Sequence, residues 1–241
     1  MTEAEKSYIR EHVQNKIPIP VVMESENFPI SFWNDQENEF QGAAVEILGK
    51  VAELTGLQFK NVNTKDGLWS ENVEALEKGE IALVSDLTRT KAREDRFIWA
   101  TKPYATDYYT LVSLKEAPDA HILKISLSRI GIQKYSGAVD VYREWFPDSD
   151  NVSFFPHNLA ALAALDKGEV DFVMMSRNTL LGMTNYLEKS GYRANLIFEH
   201  PIHMQFGFNK DEVLLASIVG KVQSLIAVDN IASRWASKTF D

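Results

Sequence analysis

Residues 75–84 read Ala-Leu-Glu-Lys-Gly-Glu-Ile-Ala-Leu-Val, and residues 164–173 read Ala-Leu-Asp-Lys-Gly-Glu-Val-Asp-Phe-Val. Six of the ten positions are identical, and Glu77/Asp166, Ile81/Val170 and Leu83/Phe172 exchange like for like. Both copies carry the same physical instructions. A helix ends on a lysine, a glycine supplies the left-handed cap, and a buried strand follows. Two copies about 90 residues apart are too far separated for a solenoid and predict two similar α/β lobes. A helix–Lys-Gly-Glu–strand unit is also a common local pattern, so the repeat needs the rest of the chain behind it.

Outward from the first copy, the chain predicts β-α-β-α-β. A polar helix over about 2–12 comes first, then a strand over 20–24. Gly42 opens a helix over 43–55, with Val45, Leu48, Val51, Ala52 and Leu54 at helical spacing, and Gly56 ends it. A strand over 58–62, a helix from about residue 70 and a strand over 81–84 complete the set. This alternation implies a largely parallel sheet. A long strand is expected over 107–114. Around the second copy the pattern repeats, with strands at 129–133, 152–155 and 170–174 and helices at 137–145 and 159–167. A strand at 203–208 precedes two helices, at about 213–227 and 230–237.

Composition excludes several function classes. The net charge of -9 argues against a nucleic-acid binder, which needs a basic face to neutralise phosphate. An anionic small ligand stays open, because one arginine in a cleft overrides the global field. There is no cysteine, which rules out cysteine-zinc clusters, thiol catalysis and a disulfide scaffold. No apolar run reaches the ~18 residues that span a bilayer. The start Met1-Thr2-Glu3-Ala4-Glu5 is too polar and acidic for a secretory signal. Phosphate-loop, zinc-protease and serine-hydrolase signatures are missing. His200 and His203 flank Pro201 with no third ligand nearby in sequence, and read as hinge or surface residues. Neither a cofactor nor a metal is expected.

Several stretches together resemble the periplasmic solute-binding proteins of the amino-acid-binding type (family 3), and in particular the Venus-flytrap sensor domains of bacterial histidine kinases and cyclic-di-nucleotide enzymes. The opening helix looks like the entry helix that such sensors carry after their first membrane span. Phe28-Pro29-Ile30-Ser31-Phe32 with Gly42 and Glu46 looks like the family's entry loop and the helix behind it. Thr88-Arg89-Thr90-Lys91-Ala92-Arg93, followed by Trp99-Ala100-Thr101-Lys102-Pro103-Tyr104, looks like its most specific block. The resemblance covers nearly the whole chain. It implies an α/β, type II periplasmic-binding-protein fold: two α/β lobes, 1–107 with 202–241 and 108–201, joined by a two-strand hinge.

The resemblance also assigns roles. Arg93 becomes the clamp on a ligand carboxylate, where its charged neighbours alone would suggest a surface arginine. Two parallel donors from one guanidinium suit a carboxylate. Trp69 falls where an aromatic stacks on the ligand, though it also reads as a core tryptophan. Glu24 falls at a polar ligand contact, and the ends of parallel strands face the crevice in open α/β sheets. Asp86 and Thr88 are expected on the same side. In the second lobe Gln133-Lys134-Tyr135-Ser136-Gly137 joins a strand to a helix, so its amides and the Ser136 hydroxyl form an anion site, or Ser136 is a plain N-cap. The chain departs from the pattern at Met174-Met175-Ser176-Arg177. Ser176 stands where amino-acid binders keep an aspartate for the ligand ammonium.

The function so implied is an extracytoplasmic, membrane-anchored sensor domain that closes on a small carboxylated solute, an amino acid or an organic acid. Its partners would be the membrane-spanning and output modules of the same chain, in a two-component system, with room for a homodimer. Rival readings are a free binding protein of an ABC transporter, a degenerate domain that binds nothing, and a dehydratase of the same fold.

Overall fold

The computed structural model describes residues 1–238. They form two compact units. The first comprises Met1–Gly67, Glu71–Ala105 and the chain from His203 onward; the second comprises Leu68–Ser70 and Thr106–Ile202. The chain passes between them at Ala105/Thr106 and at Ile202/His203.

In chain order the first unit opens with α1 (Glu3–Gln14), β1 (Ile19–Val22), β2 (Glu26–Asn27), β3 (Ser31–Asn34), β4 (Glu39–Gln41) and α2 (Ala43–Thr55). It continues with β5 (Phe59–Asn61), α3 (Trp69–Lys78), β6 (Leu83–Thr88) and β7 (Ile98–Trp99). β8 (Ala105–Leu114), β9 (Ile130–Gln133), α4 (Gly137–Trp145), β10 (Val152–Phe155), α5 (Asn158–Asp166), β11 (Phe172–Ser176) and α6 (Arg177–Leu181) follow. β12 (Tyr192–Phe208), α7 (Val213–Gln223) and α8 (Val228–Ala236) end the chain.

The repeat that opened the sequence reading folds the same way twice. Gly79 (φ 75°) and Gly168 (φ 70°) both take the left-handed conformation. The Glu80 amide donates to Ala75 O at 3.0 Å, and the Glu169 amide donates to Ala164 O at 2.9 Å. The glycine amides donate to Leu76 O and Leu165 O. Each helix therefore ends in a Schellman motif, which satisfies its last carbonyls.

In both copies the strand starts two residues later than the pattern predicts and runs further, as 83–88 and 172–176. The sequence of β6 turns polar at Ser85-Asp86, yet all six of its residues are buried. The run of apolar residues ends at Val84, and Ser85 and Asp86 open the polar half of the strand. β12 reaches upstream to Tyr192 instead of starting at 203 because its first half is polar and half-buried. The small β2-β3-β4 sheet was not expected, since its strands are two to four residues long.

In the first unit the order is β5-β1-β6-β12, with β1 parallel to both neighbours and the end of β12 antiparallel to β6 and β7. Val21, Val22, Leu83, Val84, Phe206 and Phe208 form its buried centre, covered by Ile47 and Val51 of α2 and Ile218 and Val219 of α7. In the second unit the order is β10-β9-β11-β8, then β12. β9 is parallel to β10 and β11, and β8 is antiparallel to β11. Ala161, Leu162 and Leu165 of α5 pack on Val112, Val173 and Met175. Burying such side chains contributes roughly 1.5–3 kcal/mol each.

Candidate functional site

β1 and β6 are parallel neighbours with Val22 beside Val84. Two residues further lie Glu24, just past the end of β1, and Asp86, in the C-terminal half of β6. The Glu24 amide donates to Ser85 Oγ at 2.9 Å, and Ser31 Oγ donates to Glu24 O at 2.8 Å. Asn27 Nδ2 donates to Asp86 Oδ2, and the buried Tyr104 hydroxyl donates to Ser85 O. Glu24, Glu26 and Asp86 thus bring three carboxyl groups to one end of the first unit's sheet. Glu24 keeps part of its surface in solvent, but its carboxyl is enclosed. Desolvation first, then the charges of Glu26 and Asp86, push it up to about 8 against amide hydrogen bonds from Glu26 and Ser25. Burial disfavours an ionised carboxylate, and like charges add to this.

Arg93 lies in a short 3-10 turn, Lys91–Arg93, whose amide donates to Thr90 O at 3.0 Å. It is 3% exposed. Arg89, Lys91, Glu94 and Arg96 around it are all exposed. Arg89 pairs with Glu94, and Arg96 Nε pairs with Glu77 at 2.7 Å. Arginine is almost never fully buried unless its charge is paired. That contrast separates Arg93 from a plain surface arginine. Thr88, at 9% exposure, lies on β6 beside Met204. Trp69 is buried at the start of α3, in the short stretch that groups with the second unit.

In the second unit the C-terminal ends of β9 and β11 share one edge. Tyr135 has φ 63°, so the chain turns sharply after β9. Ser136 occupies the N-cap position of α4 without a side-chain cap bond; its Oγ donates back to Gln133 O at 2.8 Å. Gly137 and Ala138 open that helix, and the first amides of a helix have no intrahelical acceptor. Gln133 Oε1 accepts from Asn158 Nδ2 at 3.1 Å, which ties this loop to the start of α5.

Ser176 ends β11 and caps α6, accepting from the Thr179 amide at 3.1 Å and lying 3.0 Å from the Thr179 hydroxyl. Sequence reasoning missed what stands behind it. Asp107 of β8, 2% exposed, accepts from the Tyr108 amide at 2.7 Å, the Asn178 amide at 3.0 Å and the Ser176 hydroxyl. Burial raises its carboxyl, and those three bonds and the Arg177 charge oppose the rise. The signal in the sequence was an aspartate near the start of a long, largely buried strand. Asn27 and Asn158 were also missed, because a single side-chain amide at the end of a strand or the start of a helix carries no pattern.

Among the described residues no group of three or more His, Asp or Glu is placed to hold a metal ion. No single helix among them is long and apolar enough to cross a membrane.

The model of the bacterial extracellular solute-binding proteins, family 3, matches residues 19–237. The chain belongs to that family. No curated protein sequence matches it. Among solved structures this solute-binding chain is similar to the periplasmic domain of BvgS from B. pertussis. The TM-score is 0.84 at 18% identity, over 100% of this chain and 46% of that one. It thus spans about half of that relative's length. It is also similar to a histidine kinase sensor domain resembling periplasmic binding proteins, at TM-score 0.81 and 15% identity, over 93% of this chain and 98% of that one. A third is ArtJ, the arginine-, lysine-, histidine-binding protein of Geobacillus stearothermophilus, at 0.78 and 17%, over 93% and 97%. At these identities the likeness is one of fold, and it bears out the type II periplasmic-binding-protein architecture. The family is one of bacterial extracellular solute-binding proteins.

Proposed function

We propose that this chain is the ligand-sensing domain of a membrane-anchored receptor, and that it closes on a small carboxylated solute, an amino acid or an organic acid. The observation that carries this reading is the burial of Arg93 among exposed charged neighbours. Its guanidinium would take the ligand carboxylate from the first unit. The α4 start, with Ser136 and the first helix amides, is the second unit's own candidate for an anionic group. A ligand shifts an open–closed balance only by its differential affinity. Moving that balance from 1:99 to 99:1 takes about 5.5 kcal/mol. A bidentate arginine contact and helix-end hydrogen bonds, at about 1.5–3 kcal/mol per charged bond, are of the right size. Signalling through spans and a kinase output module, with or without a homodimer, is the finer part of the proposal. A free binding protein serving a transporter is the second reading. It is favoured by the full-length match to ArtJ.

The test is a thermal-shift screen against amino acids, dicarboxylates and other organic acids, with Arg93→Ala in parallel. A ligand at 100 times its Kd stabilises by about 2.7 kcal/mol. At this chain length that is roughly 5–10 °C. A shift in the wild type that is absent in Arg93→Ala supports the clamp and names the ligand class. No shift with any acid, or an equal shift in both proteins, refutes it.

A further inference from the structure

Arg234 and Trp235 of α8 lie far along the chain from Glu24 and Asp86, yet a continuous run of contacts inside the first unit joins them. Asn27 donates to Asp86. The next residue, Phe28, meets Phe32 edge-on, with ring centroids 5.1 Å apart. Phe32 meets Trp235 edge-on at 6.0 Å and 72°. Trp235 Nε1–H donates to Glu46 Oε2 at 2.8 Å, and the Arg234 guanidinium donates to Glu46 Oε1. Glu46 lies in the first turn of α2. The same helix start fastens the 27–32 loop, because the Ala43 and Ala44 amides donate to Pro29 O and Ile30 O at 3.0 and 2.9 Å. Gly42 (φ 129°) makes this approach feasible, since a Cβ there would lie 2.3 Å from Ile30 O. The loop is therefore held by Asp86, by the start of α2 and by the indole of α8. Phe28 and Phe32 are 8% and 2% exposed. A close-packed junction of this kind changes between discrete arrangements and does not deform smoothly.

We propose that α8 is a control point for the first unit's charged site. Trp235 and Arg234 act as positioning residues. Through Phe32 and Glu46 they hold the 27–32 loop, and with it the Asn27–Asp86 contact, in one arrangement. Coupling of this kind is reciprocal: displacing α8 loosens the loop, and a change at Asp86 loosens α8. It needs no particular ligand, so it stands or falls separately from the solute reading.

Amide hydrogen exchange on the whole chain tests it. The reporters in the loop are the amides of Ile30, Trp33, Ala43 and Ala44, which donate to Asn27 O, Ser25 O, Pro29 O and Ile30 O. Glu46→Gln and Trp235→Ala are expected to speed their exchange about tenfold, the loss of one charge-assisted bond. Trp235→Phe keeps a ring against Phe32 and should rescue part of this. In the reverse direction, Asn27→Ala should speed exchange at Asn230, Ile231 and Ser237 in and after α8. Lys6 and Asn15 around α1, and Ser136 and Ala161 in the second unit, should not move. A change below about twofold at the loop reporters in Glu46→Gln overturns the proposal, since it lies under the energy of one hydrogen bond. So does an equal rise in all regions, or an α8 that ignores Asn27→Ala. If Trp235→Ala fails to fold, Glu46→Gln and Trp235→Phe decide.

Discussion

Replacing Glu24 by glutamine removes a charge while keeping a carbonyl oxygen to accept from the Ser25 and Glu26 amides. The wild-type carboxyl titrates at about 8 against an ordinary 4.5. Below the ordinary value it is protonated in both the folded and unfolded chain, so the substitution costs little there. Between the two values the unfolded chain releases its proton and the folded chain does not. The unfolded state is thereby favoured, and wild-type stability falls as pH rises. Above the folded value the loss is complete. At about 1.36 kcal/mol per pH unit the span of roughly 3.5 units corresponds to about 5 kcal/mol at most. Glu24 keeps some contact with water, so about half of that, ~2–3 kcal/mol, is the working expectation. The assay is urea and thermal unfolding of both proteins from pH 4.5 to 9. Glu24→Gln should match the wild type at the acid end and gain steadily to a plateau above pH 8, with a melting temperature higher by roughly 5–10 °C. Stability curves that stay parallel across this range would refute the enclosed, proton-bearing carboxyl.

Two further outcomes follow from the geometry. Gly42→Ala places a Cβ 2.3 Å from Ile30 O in a left-handed backbone and should cost ~3 kcal/mol or more in denaturant melts. Gly168→Ala meets no atom within 4 Å and should cost only the left-handed strain, about 1 kcal/mol. Equal costs at the two sites would contradict the close approach at Gly42. Asp107→Asn leaves a side-chain amide against the backbone N–H of either Tyr108 or Asn178. It should destabilise the chain by ~1–3 kcal/mol at neutral pH in the same melts. A neutral result there would mean that those bonds are not maintained in solution.

The repeated Ala-Leu-Glu/Asp-Lys-Gly-Glu unit and the helical spacing of 43–55 and 137–145 were legible because they are local. A left-handed glycine cap and a 3.6-residue stripe are written within a dozen residues. Arg93 was legible only through the resemblance, since six charged residues among the eight of 89–96 look alike to composition. Tertiary structure decided which one is buried: the 3-10 turn folds Arg93 inward and leaves Arg89, Lys91, Glu94 and Arg96 outside. The polar half of β6 was hidden for a related reason. Its Ser85 and Asp86 are buried by strands distant in the chain, which no sequence window contains. Ser176 was read as a bare replacement for an aspartate. The antiparallel pairing of β8 with β11, which sets Ser176 beside Tyr109, brings Asp107 to that corner. A carboxylate lost at one position and present behind it on a neighbouring strand is visible only once the register is known. The sequence by itself determined the helices, their caps and the two-lobed grammar, because those depend on neighbours in the chain. The burial of Arg93, the raised carboxyl of Glu24 and the tie from Asn27 to Trp235 depend on neighbours in space, and only the tertiary structure decided them.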